Sequence, residues 1–185
     1  SLTLDEVELD KSSAIVISSN AGLWRYKLGD TVKFTSKYPF RIKISGRTKH
    51  FINAFGEELV VENADLALTR VCDETGLVFK EYTAAPIYME SAAKGGHEWA
   101  IELVEAPENP EEFICKLDKY LREINSDYDA KRQNDLALEM PIVHFVKPGT
   151  FMTWLENKGK LGGQHKVPRL SNERNLLEEI LKIKK

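Results

Sequence analysis

A chain of 185 residues with 42% hydrophobic and 30% charged residues can bury a sizeable core, as one domain or one domain plus a small neighbouring piece. The formal net charge of −3 argues against bulk attraction to nucleic acid or an anionic membrane surface. No apolar run approaches the ~20 residues needed to span a bilayer. Two cysteines, Cys72 and Cys115, are too few for a disulfide framework. Each falls in an apolar helical pattern and reads as a small buried hydrophobe in a reducing compartment. The opening Ser1-Leu2-Thr3-Leu4-Asp5-Glu6 is acidic and mixed, unlike a secretory signal. A cytoplasmic protein is expected. With no Met at position 1, the chain reads as a C-terminal piece of a longer protein, or an engineered piece of one.

Residues 14–18, 31–35 and 41–45 are rich in β-branched side chains and are expected to be strands, punctuated by Gly22, Gly29-Asp30 and Tyr38-Pro39. From Glu62 to Glu74, Ala64, Ala67, Leu68, Val71 and Cys72 recur at helical spacing, and Gly76 stops the helix. Strands are expected over 78–84 and 97–104, with Trp99, Ile101 and Leu103 sharing a face. Between them, 90–96 is a polar, Gly-rich loop. Asn109-Pro110-Glu111-Glu112 is a helix start: Asn109 caps, Pro110 suits the first helical position and Glu112 completes a capping box. Phe113, Leu117, Tyr120, Leu121 and Ile124 then form one apolar stripe. Ser126 is expected to cap a second helix to about Asp135. Residues 142–146 and 150–155 read as a strand pair joined by Lys147-Pro148-Gly149, and Ser171 as the cap of a last helix with Leu176, Leu177, Ile180 and Leu181 inward. The pattern predicts an α+β fold: a small antiparallel β unit, then an α+β domain with helices on one face of a mostly antiparallel sheet.

Two short pairs carry candidate chemistry. In Gly22-Leu23-Trp24-Arg25-Tyr26-Lys27-Leu28-Gly29-Asp30, a tight turn at Gly29 can present the Asp30 carboxylate to the two hydroxyls of a ribose. In Ser45-Gly46-Arg47-Thr48-Lys49, the Arg47 guanidinium can reach the same nucleotide by a bidentate fork. The alternatives are a turn Asp bonded to its own backbone and a surface ion pair. Lys166 follows Gly162-Gly163-Gln164 and precedes Val167-Pro168-Arg169, on a loop expected between a strand and the last helix. There it is either a solvated lysine or a point charge that swings into a neighbouring site. His50, His97, His144 and His165 lack metal-ligand spacing, so no metal site is expected. His144 reads as structural, and His165 could line a site beside Lys166. Glu57 and Glu58 face opposite ways on an extended chain and read as solvated or capping.

These stretches, with Phe51-Ile52-Asn53-Ala54-Phe55-Gly56-Glu57-Glu58-Leu59, Asn125-Ser126-Asp127-Tyr128-Asp129-Ala130-Lys131-Arg132 and Gly159-Lys160-Leu161-Gly162-Gly163-Gln164-His165-Lys166-Val167-Pro168-Arg169-Leu170, resemble the adenylate-forming acyl-acid-amido synthetases of the auxin-responsive Gretchen Hagen three family, in its bacterial branch. The resemblance covers nearly the whole chain. It implies the C-terminal part of an ATP-dependent ligase that adenylates a carboxylic acid and passes the acyl group to an amine, usually an amino acid. ATP would be consumed, AMP released, and Mg²⁺ held by groups outside this chain. Gly163 to Arg169 matches a Gly-x-x-Lys-x-x-Arg setting in which the lysine, here Lys166, bridges the α-phosphate and the acyl carboxylate. Asp30 is similar to the ribose-binding aspartate, with Tyr26 near the nucleotide and Arg47 on ribose or phosphate.

The resemblance further implies that residues 1–46 end an N-terminal adenylation domain and that 47–185 form a mobile cap, with a hinge within 48–53. Lys49 is a weaker candidate for a phosphate contact. Where this chain has Glu58 the plant branch is expected to carry a phosphate-contacting lysine, so no phosphate role is carried over to that loop. Lys131 and Arg132 are candidates for the domain interface, and Arg169 for a structural support. The partners implied are the acid, the amine and the N-terminal domain, without nucleic acid or membrane. The 185 residues alone are expected to make no acyl-adenylate. The alternative is a non-catalytic α+β binding or protein-interaction module.

Overall fold

A computed structural model of the chain describes residues 3–47 (46 and 47 by their backbone), 51–89, 94–133, 137–160 and 166–183. They fall into two compact units, Ser1–His50 and Phe51–Lys185.

Unit one is a three-stranded antiparallel sheet, β1 (Ser12–Ile17), β2 (Tyr26–Lys37) and β3 (Phe40–Arg47), in the order β1-β2-β3. Val7, Val32 and Phe34 are its buried residues, with Ile15 packed against them. All three expected strands are present and longer than predicted. Gly29-Asp30 does not interrupt the strands as expected; both lie inside β2. Ala14 pairs with Thr31 and Val16 with Lys27, so Ile15 alone faces Leu28, Gly29 and Asp30. The surplus is taken up as a bulge, and Gly29 absorbs the local twist at φ +86°, a conformation open to glycine.

Unit two begins with the two-residue pair β4 (Phe51–Ile52) and β5 (Leu59–Val60), then α1 (Val61–Thr75). Gly76 closes α1 in the left-handed conformation. The main sheet follows: β6 (Phe79–Ile87) antiparallel to β7 (Gly96–Leu103), and β7 parallel to β8 (Ile142–Val146). Between β7 and β8 lie α2 (Pro110–Ile124) and α3 (Ser126–Arg132); after β8 come α4 (Thr150–Asn157) and α5 (Asn175–Lys182). Asn109 caps α2 and Pro110 opens it as predicted, with the Asn109 side chain accepting the Glu112 N–H at 3.2 Å, a cap of the kind worth about 1 kcal/mol; the Glu112 carboxylate accepts from the Asn109 side-chain amide at 3.5 Å.

Helices cover both faces of this sheet rather than the one face expected. Tyr82, Ala84, Trp99, Ile101 and Leu103 pack with Leu68, Val71, Phe113, Leu117 and Leu121 of α1 and α2. The alternate positions Ala85 and Ala100 pack with Phe151, Trp154, Leu177 and Ile180 of α4 and α5. A strand buried on both faces reads as a continuous apolar run, which alternation arguments underweight.

Other expectations change for stated reasons. Residues 150–155 are helical, because the buried Glu102 carboxylate accepts the N–H groups of Gly149 (2.8 Å) and Phe151 (3.1 Å). A carboxylate there satisfies the free amides and the dipole of α4. Phe151 and Trp154 then point into the second core and override their strand propensity. The cap of α3 is Asn125, which accepts from the Tyr128 N–H at 2.9 Å, rather than Ser126. Ser171 holds the turn before α5 by accepting from Glu173 N–H, and α5 starts only at Asn175. Cys72 is buried as expected, whereas Cys115 on α2 is exposed. Residues 90–93 of the predicted loop lie outside the described residues.

Candidate functional site

Lys166 is exposed and opens a segment that runs along the free edge of β6. The Thr83 hydroxyl donates to Pro168 O at 2.9 Å, Ala84 N–H donates to Arg169 O at 2.8 Å, and Ser171 N–H donates to Ala84 O at 3.1 Å. Val167 and Leu170 are buried on either side of Pro168-Arg169. Lys166 therefore lies between two helices, α4 and α5, rather than between a strand and a helix as expected. Residues 161–165, with His165, lie outside the described residues.

Arg169 fixes the segment further. Its guanidinium donates to Glu81 (2.9 Å) and to both oxygens of Asp65 (3.0 and 2.9 Å), and it stands 5.2 Å from the centroid of the Tyr82 ring. Burial works against the Arg169 charge, but Glu81 and Asp65 outweigh it and raise its pKa. Burial, reinforced by a 2.5 Å bond to Asp65, pushes the Tyr82 hydroxyl far above its usual range. Lys166 is thus a solvent-facing cation at the head of a segment whose next residues are tied to a sheet edge and a helix.

The stretch that opens unit two is held as tightly. Glu57 is wholly buried, not solvated; its carboxylate accepts N–H bonds from Ala54 (3.2 Å) and Phe55 (2.7 Å) and lies 2.8 Å from His97 Nε2. Burial raises the Glu57 pKa, yet the His97 hydrogen bond and charge, with the backbone amides of Glu57 and Phe55, bring it below the usual carboxylate value. Asn125 Nδ2 donates to Glu57 O at 2.9 Å. The loop carries two positive-φ residues, Gly56 at +84° and Glu58 at +41°; such backbone persists only where its surroundings over-determine it. Of the hinge candidates, 48–50 lie outside the described residues, and with them Lys49 and His50.

In unit one, Asp30 is half-buried at the bulge and pairs in register with Arg47 at the backbone, so the two candidates occupy facing positions on neighbouring strands. Tyr26, half exposed, opens β2 on the same strand. A hollow of about 260 Å³ lined by Ala14, Ile15, Val16, Lys27 and Gly29 opens at the bulge. Asp30 follows Gly29, one of the residues that line this hollow. The structure brings Tyr26, Asp30 and Arg47 onto one sheet, while Lys166 belongs to the other unit.

Sequence reasoning missed three polar constellations. Asp118, within the apolar stripe of α2, forms a buried pair with Arg132 at 2.7 and 2.9 Å and accepts the Tyr128 hydroxyl at 2.9 Å. Arg132 also donates to Leu138 O, so it is engaged inside unit two rather than free for a domain interface. The signal was present: an Asp between Leu117 and Leu121 on a buried helical face requires a partner. The second is His97–Glu57, and the third is Asn172 beside β4. His144 bonds Glu98 at 2.7 Å across β7 and β8, as a structural residue. Among the described residues no group of three His, Cys, Asp or Glu is placed to hold a metal, and no helix is long and apolar enough to cross a membrane.

The fold of the chain is shared with two proteins of known structure. The chain matches the GH3 acyl acid amido synthetase GH3.15 over 97% of its length and 35% of that chain, with a TM-score of 0.74 at 20% identity. It matches 2-hydroxyisobutyryl-CoA ligase in the postadenylation state, in complex with R3-HIB-AMP, over 95% of its length and 35% of that chain, with a TM-score of 0.54 at 13% identity. Both likenesses are of fold. Residues 62–175 match the GH3 family C-terminal domain and residues 1–47 the GH3 family central domain; the chain belongs to the GH3 family. It is 30% identical over 184 residues to indole-3-acetic acid-amido synthetase GH3.3 of Arabidopsis thaliana, covering 90% of this chain and 30% of that protein. The chain thus spans about a third or less of the relatives it matches.

Proposed function

We propose that this chain is the C-terminal part of an ATP-dependent acyl-acid-amido synthetase. A carboxylic acid attacks the α-phosphate of ATP, forming an acyl-adenylate and releasing pyrophosphate. An amine, an amino acid by analogy with the amido synthetases above, then attacks the acyl carbon and expels AMP. Residues 1–46 are read as the end of the N-terminal region, and 47–185 as a cap that turns between the two steps. Asp30 accepts the ribose hydroxyls, with Tyr26 and Arg47 beside the nucleotide. A Mg²⁺ ion would supply the charge neutralisation that a departing pyrophosphate needs, and groups outside this chain would hold it. We further propose a cytoplasmic protein of the bacterial branch of the family.

The observation that carries this reading is the setting of Lys166: an exposed cation on a segment fixed to β6 and α1. A charge presented that way can meet developing negative charge in a transition state without reorganising. Lys166→Ala in the full-length protein is expected to slow adenylation roughly 10²–10³-fold, as for loss of one preorganised charge-stabilising group. ATP affinity and amide formation from supplied acyl-adenylate should change far less. Single-turnover kinetics of the two half-reactions decide it. Equal losses in both steps, or an intact first step, refute the role of Lys166 and return the non-catalytic binding module as the better account.

A further inference from the structure

Asn172 makes an unusual pair of contacts. Its Oδ1 accepts the Asn53 N–H at 3.0 Å and its Nδ2 donates to Phe51 O at 3.1 Å. The side-chain amide thus takes the place of one peptide of a neighbouring strand, adding a rung to the edge of β4. Its own carbonyl accepts the Tyr88 hydroxyl at 2.7 Å. Phe51 and Asn53 stand at the very start of unit two, next to the boundary between the units. Asn172 is also two residues beyond Leu170, the last residue paired along the edge of β6 in the segment that begins at Lys166.

Three ties therefore converge on the segment after Lys166. Backbone hydrogen bonds join it to β6, the Arg169 ion pairs join it to α1 and β6, and Asn172 joins it to the first strand past the boundary. The first two are internal to the packed body of the unit. Only the third, among these, links the Lys166 segment directly to Phe51 and Asn53, which fall within the proposed hinge.

We infer that Asn172 is a positioning residue for Lys166, coupling the orientation of the boundary strand β4 to that of the lysine-bearing segment. This rests on the reading of Lys166 as the adenylation lysine. Asn172 touches no reacting atom; it acts by keeping the lysine in register with the boundary. Misplacement by about 1 Å of a group that must meet a transition state can cost 10²-fold, and the other two ties remain. Loss of Asn172 is therefore expected to cost on the order of 10-fold.

The test is a double-mutant cycle in the full-length protein, read by single-turnover adenylation and by amide formation from supplied acyl-adenylate. Asn172→Ala is expected to slow adenylation on the order of 10-fold, leaving ATP affinity and the second half-reaction nearly unchanged. In the Lys166→Ala background it should have no further effect, because there is no lysine left to position. Asn172→Asp keeps the volume and the acceptor for Asn53 N–H but loses the donor to Phe51 O. With a carboxylate oxygen then facing Phe51 O, it should slow adenylation at least as much as Asn172→Ala while again sparing the second half-reaction, and that selectivity separates it from a variant that simply misfolds. A purely structural asparagine predicts equal losses in both half-reactions and additive losses in the double mutant; either result overturns the inference while leaving Lys166 in place. An intact first step in Lys166→Ala overturns the reading beneath it as well.

Discussion

Unit one buries three apolar side chains, Val7, Val32 and Phe34, and leaves Val16, Tyr26, Leu28, Ile42 and Ile44 at least 45% exposed on the same small sheet. Unit two fills both faces of its main sheet and locks polar groups inside, including Glu57, His97, Asp118 and Arg132. The candidates differ accordingly. Asp30 is placed by strand pairing and one bulge, whereas the Lys166 segment is placed by buried side chains, ion pairs and backbone bonds to a sheet edge. A binding group can be set by local backbone geometry alone. A charge that must arrive at a defined point needs a stiff body behind it, since orientation is what turns proximity into rate.

The largest effect expected from this contrast is on stability. Asp118→Ala removes a carboxylate from the buried Arg132 guanidinium and the acceptor of the Tyr128 hydroxyl. Removing one member of such a pair costs about 3–5 kcal/mol. Denaturant unfolding should show that loss in unit two. A change under about 1 kcal/mol would mean that the interior of unit two yields as readily as an exposed surface, and the contrast between the units would break.

A smaller effect is expected in unit one. Asp30→Ala in the full-length protein should weaken ATP and AMP binding by about 1–3 kcal/mol, the cost of leaving hydrogen-bonding groups without their partner. 2′-Deoxy-ATP should bind the unmutated protein more weakly than ATP, and should lose that disadvantage in Asp30→Ala. Equal binding of the two nucleotides to the unmutated protein would make Asp30 a bulge residue with no ribose role.

What could be read in the sequence follows the same division. Elements defined by local chemistry were legible: α1 with its Gly76 stop, the Asn109-Pro110 start of α2, and the strands of unit one. Elements defined by distant partners were not. The helix at 150–157 depends on Glu102, far away in sequence, which accepts its first amides. The bulge at Gly29-Asp30 depends on how many residues β1 offers opposite β2, which no spacing within β2 reveals. Glu57 looks like half of a solvated acid pair until His97 is placed against it. Candidate chemistry was legible as residue types, because an Asp after a Gly and a Lys among glycines are local patterns. The ties at Arg169 and Asn172 are tertiary facts.

The smallest expected effect concerns pH and again separates the two units. The Glu57 carboxyl is held below its ordinary value: burial raises its pKa, but the His97 bond and charge and two backbone amides more than offset that. A group with a depressed folded-state pKa contributes stability that is present above its unfolded value and lost as pH falls through the folded one. Stability of unit two should therefore decline as pH drops below about 4.5, the ordinary value for this carboxyl. Glu57→Gln removes the titrating group while keeping its shape. The variant should be less stable at neutral pH, where the ionised carboxylate takes the His97 and backbone hydrogen bonds, and the gap should narrow on acidification. Melting curves of the two proteins across that window give the answer. Parallel profiles would show that Glu57 titrates alike folded and unfolded, so that its burial against His97 lends no charge-dependent stability to the start of unit two.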